Sequence, residues 1–262
     1  MRGVKKPKYY DEIQKLRLID DELMELCFDN NLEAAELLVR VILGRDDIRI
    51  ISSKTQVTMK GLMREVRLDI LAVDTKGKKY NIEFQRKNKG AEPERARLNG
   101  SLIDANSLDK GGDFTELPEV YVIFITEHDV LGGGIPLYTI ERVINETGKP
   151  FGDGSHIVYV NGEHRDAGTA LGKLVHDIFC ERPEDMNYSE LAERVRHFKD
   201  DEKGVIEVSE VMEKLLDKKA KDIAQRMLEA GEVAVTKIAE YTGLSVSTVR
   251  RMAKKLETVQ QA

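Results

Sequence analysis

Residues 66–87, VRLDILAVDTKGKKYNIEFQRK, read as two β-strands joined by a tight turn. Residues 66–74 and 79–87 are rich in β-branched and aromatic side chains, and Thr75-Lys76-Gly77 supplies the turn between them. Side chains alternate along a strand, so Arg67, Asp69, Leu71 and Val73 share one face. On the second strand Asn81, Glu83, Gln85 and Lys87 share a face. A hairpin turning symmetrically about Lys76 sets Asp69 directly across from Glu83, with Cβ atoms about 5 Å apart. Like charges in such a pair repel, so a fold that keeps both calls for a cation between them. Mg²⁺ suits the position: it takes one or two carboxylates, shares phosphate oxygens and keeps waters. Such an ion activates water and stabilises the charge that builds on a phosphodiester under attack. The alternative is a solvated sheet face on which the two acids pair with Arg67 and Lys87.

Outward from this hairpin the pattern is α/β. Residues 20–44 read as two short helices broken at Asp29-Asn30-Asn31 and stopped by Gly44. Residues 48–59 have a strand-like mixture, and 92–108 are helical, with Pro93 in its favoured first-turn position. EVYVIFIT, residues 119–126, is nearly all apolar, the signature of a strand buried on both faces. Residues 157–160 give a further strand and 169–180 an amphipathic helix. The charged run 200–204, DDEKG, reads as a linker. The expected division is therefore 1–204, an α/β domain, and 205–262, an all-α C-terminal region.

Composition narrows the classes. The chain has 262 residues, 41% hydrophobic and 34% charged, with a formal net charge of −6. An acidic total disfavours polyanion binding by the surface as a whole but leaves local basic patches open. No apolar run approaches the roughly 20 residues needed to cross a bilayer, and the basic N-terminus lacks the apolar stretch of a secretory signal. Cys27 and Cys180 sit in apolar helical patterns and read as buried thiols, which suits a reducing, cytoplasmic setting. His128 and His156 have no partner at a zinc-binding spacing and read as structural. Gly132-Gly133-Gly134 lacks the following Lys-Ser/Thr of a phosphate-binding loop.

The hairpin, followed by PERARLNGSLIDANSL and EVYVIFITEHDVLGGGIPLYTIER, resembles the PD-(D/E)XK nuclease family transposases, relatives of the recombination-promoting Rpn nucleases. The resemblance implies a restriction-endonuclease-like core, αβββαβ in order, with a central mixed sheet flanked by helices. It implies a Mg²⁺-dependent (Mn²⁺ possible) DNA endonuclease of mobile DNA, with Asp69 and Glu83 as metal ligands. Gln85 stands where the wider superfamily has lysine; it can donate a hydrogen bond but supplies no charge. Arg97 on the following helix is the preferred source of that charge, with Lys87 as the alternative, and Arg95 is expected to contact phosphate. A glutamate on the helix before the sheet is expected to join the site, Glu36 fitting best and Glu33 competing. Cutting both strands calls for two sites, hence a homodimer. The rival is a catalytically degenerate nuclease fold that binds DNA or regulates.

Beyond residue 204 the pattern is helical. KIAEYTGLSVSTVRRMAKKLE has a helix-turn-helix pattern: Ala239 permits close approach, Gly243 the turn, Ser245 the N-cap, and Val249 and Met252 bury the second helix. Arg250, Arg251, Lys254 and Lys255 cluster on that helix. They suit a phosphate backbone, or else a structural helical bundle whose basic end the helix dipole favours.

Overall fold

The computed structural model describes residues 9–61, 63–87 and 89–260. Its elements are α1 (Tyr10–Ile13), α2 (Asp21–Phe28), α3 (Leu32–Leu43), β1 (Ile50–Met59), β2 (Val66–Asp74), β3 (Lys79–Gln85), α4 (Pro93–Ala105), β4 (Val120–Thr126), β5 (Leu137–Ile140), β6 (Val143–Ile144), β7 (Lys149–Pro150), β8 (Ser155–Asn161), α5 (Ala170–Phe179), α6 (Ser189–Asp200), α7 (Glu202–Ala230), α8 (Val235–Thr242) and α9 (Val246–Gln260). Six strands form one sheet in the order β1-β2-β3-β4-β8-β5. Pairing is antiparallel from β1 to β3, parallel through β3, β4 and β8, and antiparallel again at β5. From α3 to β4 the order is αβββαβ, and the mixed sheet flanked by helices is the expected PD-(D/E)XK-type α/β fold.

Local chemistry fixes the boundaries. Asn31 caps α3 by accepting from the Ala34 N–H at 3.2 Å, and Gly44 ends the helix at φ +62°, where a side chain would be strained. Between β2 and β3, the buried Asp74 carboxylate accepts from the Lys76 and Lys78 N–H groups at 2.8 and 2.9 Å and from the Tyr80 hydroxyl at 2.9 Å. Gly77, at φ +77°, closes the turn. The outcome is the register Ile70↔Ile82, Leu71↔Asn81, Ala72↔Tyr80 and Val73↔Lys79, symmetric about Lys76 as the sequence suggested.

Helices cover both faces of the sheet. α4 packs its Ala96 and Ile103 on Val122, Phe124 and Tyr159 of the sheet, with Phe124 and Tyr159 stacked at 5.4 Å between centroids. On the other face α2 and α3 pack against β1, with Phe28 stacked on Phe84 at 5.8 Å. Leu137–Ile140, at the sheet edge, was not anticipated as a strand; Gly132-Gly133-Gly134 and Pro136 before it and its half-exposed pattern hide the periodicity. Cys27 is buried as expected, but Cys180 is only partly so, because it caps α5.

Residues Asp11–Gly204 form one compact unit, and residues from Val205 onward belong to a second. The charged run expected as a linker is helical from Glu202. Glu and Lys are good helix formers, and Gly204 comes so close to the His197 carbonyl that a Cβ would lie 2.1 Å from it. In the second unit Ala224, Ile238, Ala239 and Val249 form a small core, joined by Leu244, Val246 and Met252. Among the described residues no helix is long and apolar enough to cross a membrane.

Replacing Asp74 by Ala strips the turn of three hydrogen bonds and leaves the Tyr80 hydroxyl unpaired. Urea unfolding should show a loss of about 2–4 kcal/mol, with Tyr80→Phe losing less than half as much.

Candidate active site

Two acids meet where the β2–β3 ladder ends. Beyond Ile70↔Ile82, carboxylates replace backbone carbonyls as acceptors: Asp69 N–H donates to Glu83 Oε1 at 3.3 Å, and Phe84 N–H donates to Asp69 Oδ2 at 3.0 Å. Among the described residues no donor meets Asp69 Oδ1. Glu83 is fully buried and Asp69 partly so.

Several groups hold Glu83 in place. Arg95 Nη2 donates to Glu83 Oε2 at 2.6 Å, and Asn81 Nδ2 donates to Oε1 at 2.8 Å. Asn81 is held in turn by Asn99, whose Nδ2 donates to Asn81 Oδ1 at 3.0 Å. Arg95 and Asn99 are four residues apart on α4, so both face the sheet. The helix is aimed by its start: Pro93 occupies the first turn, and the Tyr159 hydroxyl on β8 donates to the Ala91 carbonyl at 2.9 Å.

Burial pushes the Asp69 carboxyl well above the usual carboxylate range, and the Glu83 charge adds to it; the Phe84 N–H acts the other way. Burial raises Glu83 as well, against the lowering effect of Arg95 and the Asn81 hydrogen bond. A cation between the two acids would neutralise their repulsion, and its binding would release the proton that burial favours. Their chemistry fits Mg²⁺ or Mn²⁺, which need few protein ligands when waters and phosphate complete the shell. Among the described residues no group of three or more His, Cys, Asp or Glu gathers as a fuller metal cage.

The other expected site residues are placed differently. Gln85 is at the site, but its amide is engaged: Nε2 donates to the Lys89 carbonyl at 3.1 Å, and Oε1 accepts from Arg95 at 3.2 Å. Gly90, at φ +109°, is needed there, since a Cβ would lie 2.8 Å from the Gln85 oxygen. Arg97 is exposed and lines a different cleft, with Ile140, Glu141 and Arg142. Residues two apart on a helix point about 200° apart, so Arg95, not Arg97, supplies the charge at the acid pair. Lys87 is exposed past the end of β3.

Glu36 is not brought to the pair. It accepts from the Ile50 N–H at 2.9 Å and pairs with Arg40, and Ile50 lies opposite Asp74, at the other end of β2. Glu33 lines a separate polar cleft with Asn30 and Glu190. The helix acid whose charge does reach Asp69 is Asp21, in the first turn of α2, which sequence reasoning missed. Its neighbour Asp20 fixes that turn, accepting from Arg17 N–H and from Arg86 Nη1, both at 2.8 Å, and Arg86 directly follows Gln85. Asn81 and Asn99 were missed too, although an Arg-x-x-x-Asn spacing on α4 signals one shared face.

Beside Arg95 runs a cleft of about 550 Å³ lined by Arg64, Arg67, Lys89, Gly90, Glu92 and Leu98, among others. Four of its lining residues are cationic, counting Arg95, and three, Glu65, Glu92 and Glu94, are acidic. The histidines lie outside this arrangement: His128 faces Glu163 at 3.2 Å, and His156 stacks on Tyr121 between Glu119 and Glu141.

The α/β domain is thus a mixed sheet that brings two acids together at the end of a central hairpin, with an arginine from the next helix upon them. Residues 42–167 match the family model of the PD-(D/E)XK nuclease family transposases, and the resemblance drawn from the sequence holds over that span, which includes Asp69, Glu83, Gln85 and Arg95. No curated protein and no solved structure matches the chain.

The acid pair has a stability signature. In the metal-free protein the folded acid pair retains a proton that the unfolded chain has released, so stability falls as pH rises from the ordinary 3.8 towards about 8. Asn at this position removes the repulsion. In EDTA at pH 8, Asp69→Asn should be more stable than the parent by about 1–3 kcal/mol in urea unfolding, and the gain should fade as the pH approaches 4.

Proposed function

We propose that this protein is a divalent-metal-dependent DNA endonuclease, transposase-like or recombination-promoting, with Mg²⁺ or Mn²⁺ held by Asp69 and Glu83. The observation that carries the reading is the convergence of these two acids at the end of the β2–β3 ladder, one of them fully buried, in the register that the hairpin turn dictates. The family match supports a nuclease-like function, and nucleases of this family typically use divalent metals and act on DNA.

A bound ion would supply Lewis-acid activation of water and neutralise charge on the scissile phosphate. The chain's own groups divide the remaining work. Asp69 offers Oδ1, which meets no donor among the described residues, while Glu83 is oriented by Asn81 and Arg95. Arg95 touches Glu83 and also lines the neighbouring cleft, so it carries positive charge from the acid pair to where a phosphodiester would lie. Gln85 positions that guanidinium from one side and the loop at Gly90 from another. Arg64, Arg67 and Lys89 extend the cleft along a path that suits a nucleic-acid backbone. Cleavage of both strands would use two copies of the chain.

The test is plasmid cleavage by the full chain in Mg²⁺ and in Mn²⁺. Cleavage should stop with EDTA and fall by a factor of about 100 or more in Asp69→Ala and Glu83→Gln. Arg95→Ala should lower turnover by a similar factor, and Arg95→Lys should restore little, since lysine cannot serve Glu83 and Gln85 together as a planar fork does. The second reading, a degenerate nuclease fold that binds DNA or regulates, draws on the engaged Gln85 amide in the place of a lysine. Retained DNA binding with no cleavage in either metal would decide for it.

A further inference from the structure

The unit beyond Val205 has a surface that the acid pair does not use. α8 and α9 are joined by a short turn in which Gly243 takes φ +70° and the Ser245 hydroxyl accepts from the Thr248 N–H at 3.1 Å. Val246, Val249 and Met252 belong to the core built with Ile238 and Ala239, which fixes the rotation of α9. The opposite side presents Ser247, Arg250, Arg251, Lys254 and Lys255, all exposed. Their spacing of three, one, three and one makes a single stripe on a 3.6-residue helix. Four of the five positions are cationic and none is acidic, in a chain whose net charge is −6. On α8 there is a single cation, Lys237, which lies 3.7 Å from Glu240 and over the Tyr241 ring. The cationic field is therefore concentrated on α9.

We propose that α9 is a duplex-DNA docking helix that lies in the major groove, giving the protein a second DNA contact separate from its cutting site. An α-helix about 10–12 Å across fits a groove about 12 Å wide. The pair of helices with a three-residue turn is the geometry that offers its second helix to that groove. Ser247, near the start of the stripe, is small enough to let a backbone approach, while the arginines and lysines reach phosphates and base edges. A lipid surface fits less well, because the apolar side of α9 is already taken by its own core. This inference does not rest on the nuclease reading.

The test uses the full-length chain carrying Asp69→Asn in EDTA, so that binding is read without cutting. Fluorescence anisotropy on a labelled random-sequence duplex is followed across a potassium chloride series. Arg250→Ala/Arg251→Ala/Lys254→Ala should weaken binding at least about tenfold and reduce the salt slope by about 2.7, at about 0.9 for each phosphate no longer neutralised. A charge-preserving triple, Arg250→Lys/Arg251→Lys/Lys254→Arg, should keep the slope. Should the alanine triple fail to fold, Arg250→Gln/Arg251→Gln reads the same loss in proportion. Unchanged affinity and slope overturn the proposal. So does a dimer-to-monomer change in sedimentation with DNA binding intact, which would make the stripe an interface between copies. Loss of binding to phosphatidylserine vesicles alone also overturns it. With Asp69 restored and Mn²⁺ added, the alanine triple should still cut DNA supplied in excess. If no version of the chain cuts, the nuclease reading fails while the anisotropy result still stands.

Discussion

A carboxylate with no access to water sits at the centre of this fold. Glu83 is fully buried beside a second acid, and an ionised group in such a place is tolerated only when its oxygens are answered by donors. Arg95, Asn81 and the Asp69 amide give those answers. Each answer makes a demand on the architecture. Arg95 requires α4 to begin where it does, so the Tyr159 hydroxyl anchors Ala91; Asn81 requires Asn99. The helix over this face thus carries a polar row, Arg95 and Asn99, through what is otherwise an apolar layer of Ala96, Ile103, Val122 and Phe124.

The same constraint runs back into the hairpin. A one-residue slip between β2 and β3 would send Asp69 to the opposite face from Glu83. The Asp74 carboxylate prevents the slip by gathering two turn amides and the Tyr80 hydroxyl. This device is some distance along the strand from the acids it positions, so the geometry of the site is stored in a turn that takes no part in its chemistry.

This also explains what could be read in the sequence. The register was legible because a period of two and a short turn leave few alternatives, and Lys76 is indeed its centre. The helices and strands of the core were legible where apolar periodicity was undiluted, as in β4. The phase of α4 was not. Its buried set, Ala96, Asn99, Gly100, Leu102 and Ile103, includes an amide and a glycine, so an apolar pattern could not show whether Arg95 or Arg97 faces the sheet. Glu36 was misplaced for a different reason: a helix packed on a strand can serve either end of it, and sequence order does not say which. Asp21 went unnoticed because its approach to Asp69 depends on a tertiary clamp, Arg17 and Arg86 on Asp20.

Gln85 stands beside the acids without bringing a charge of its own. A lysine at that strand position would bring its own cation to the acids. Glutamine cannot, but its oxygen accepts from Arg95, and Gly90 lets the loop close over its amide. The positive charge at the acids comes from the helix, where a guanidinium reaches Glu83 and Gln85 together. An arginine in this place cannot lose its proton and presents a fixed fork of donors. It therefore stabilises the acid pair across the whole pH range in which a lysine beside buried groups could titrate. The glutamine on the strand and the arginine on the helix are two halves of one arrangement, and neither is intelligible from the strand alone.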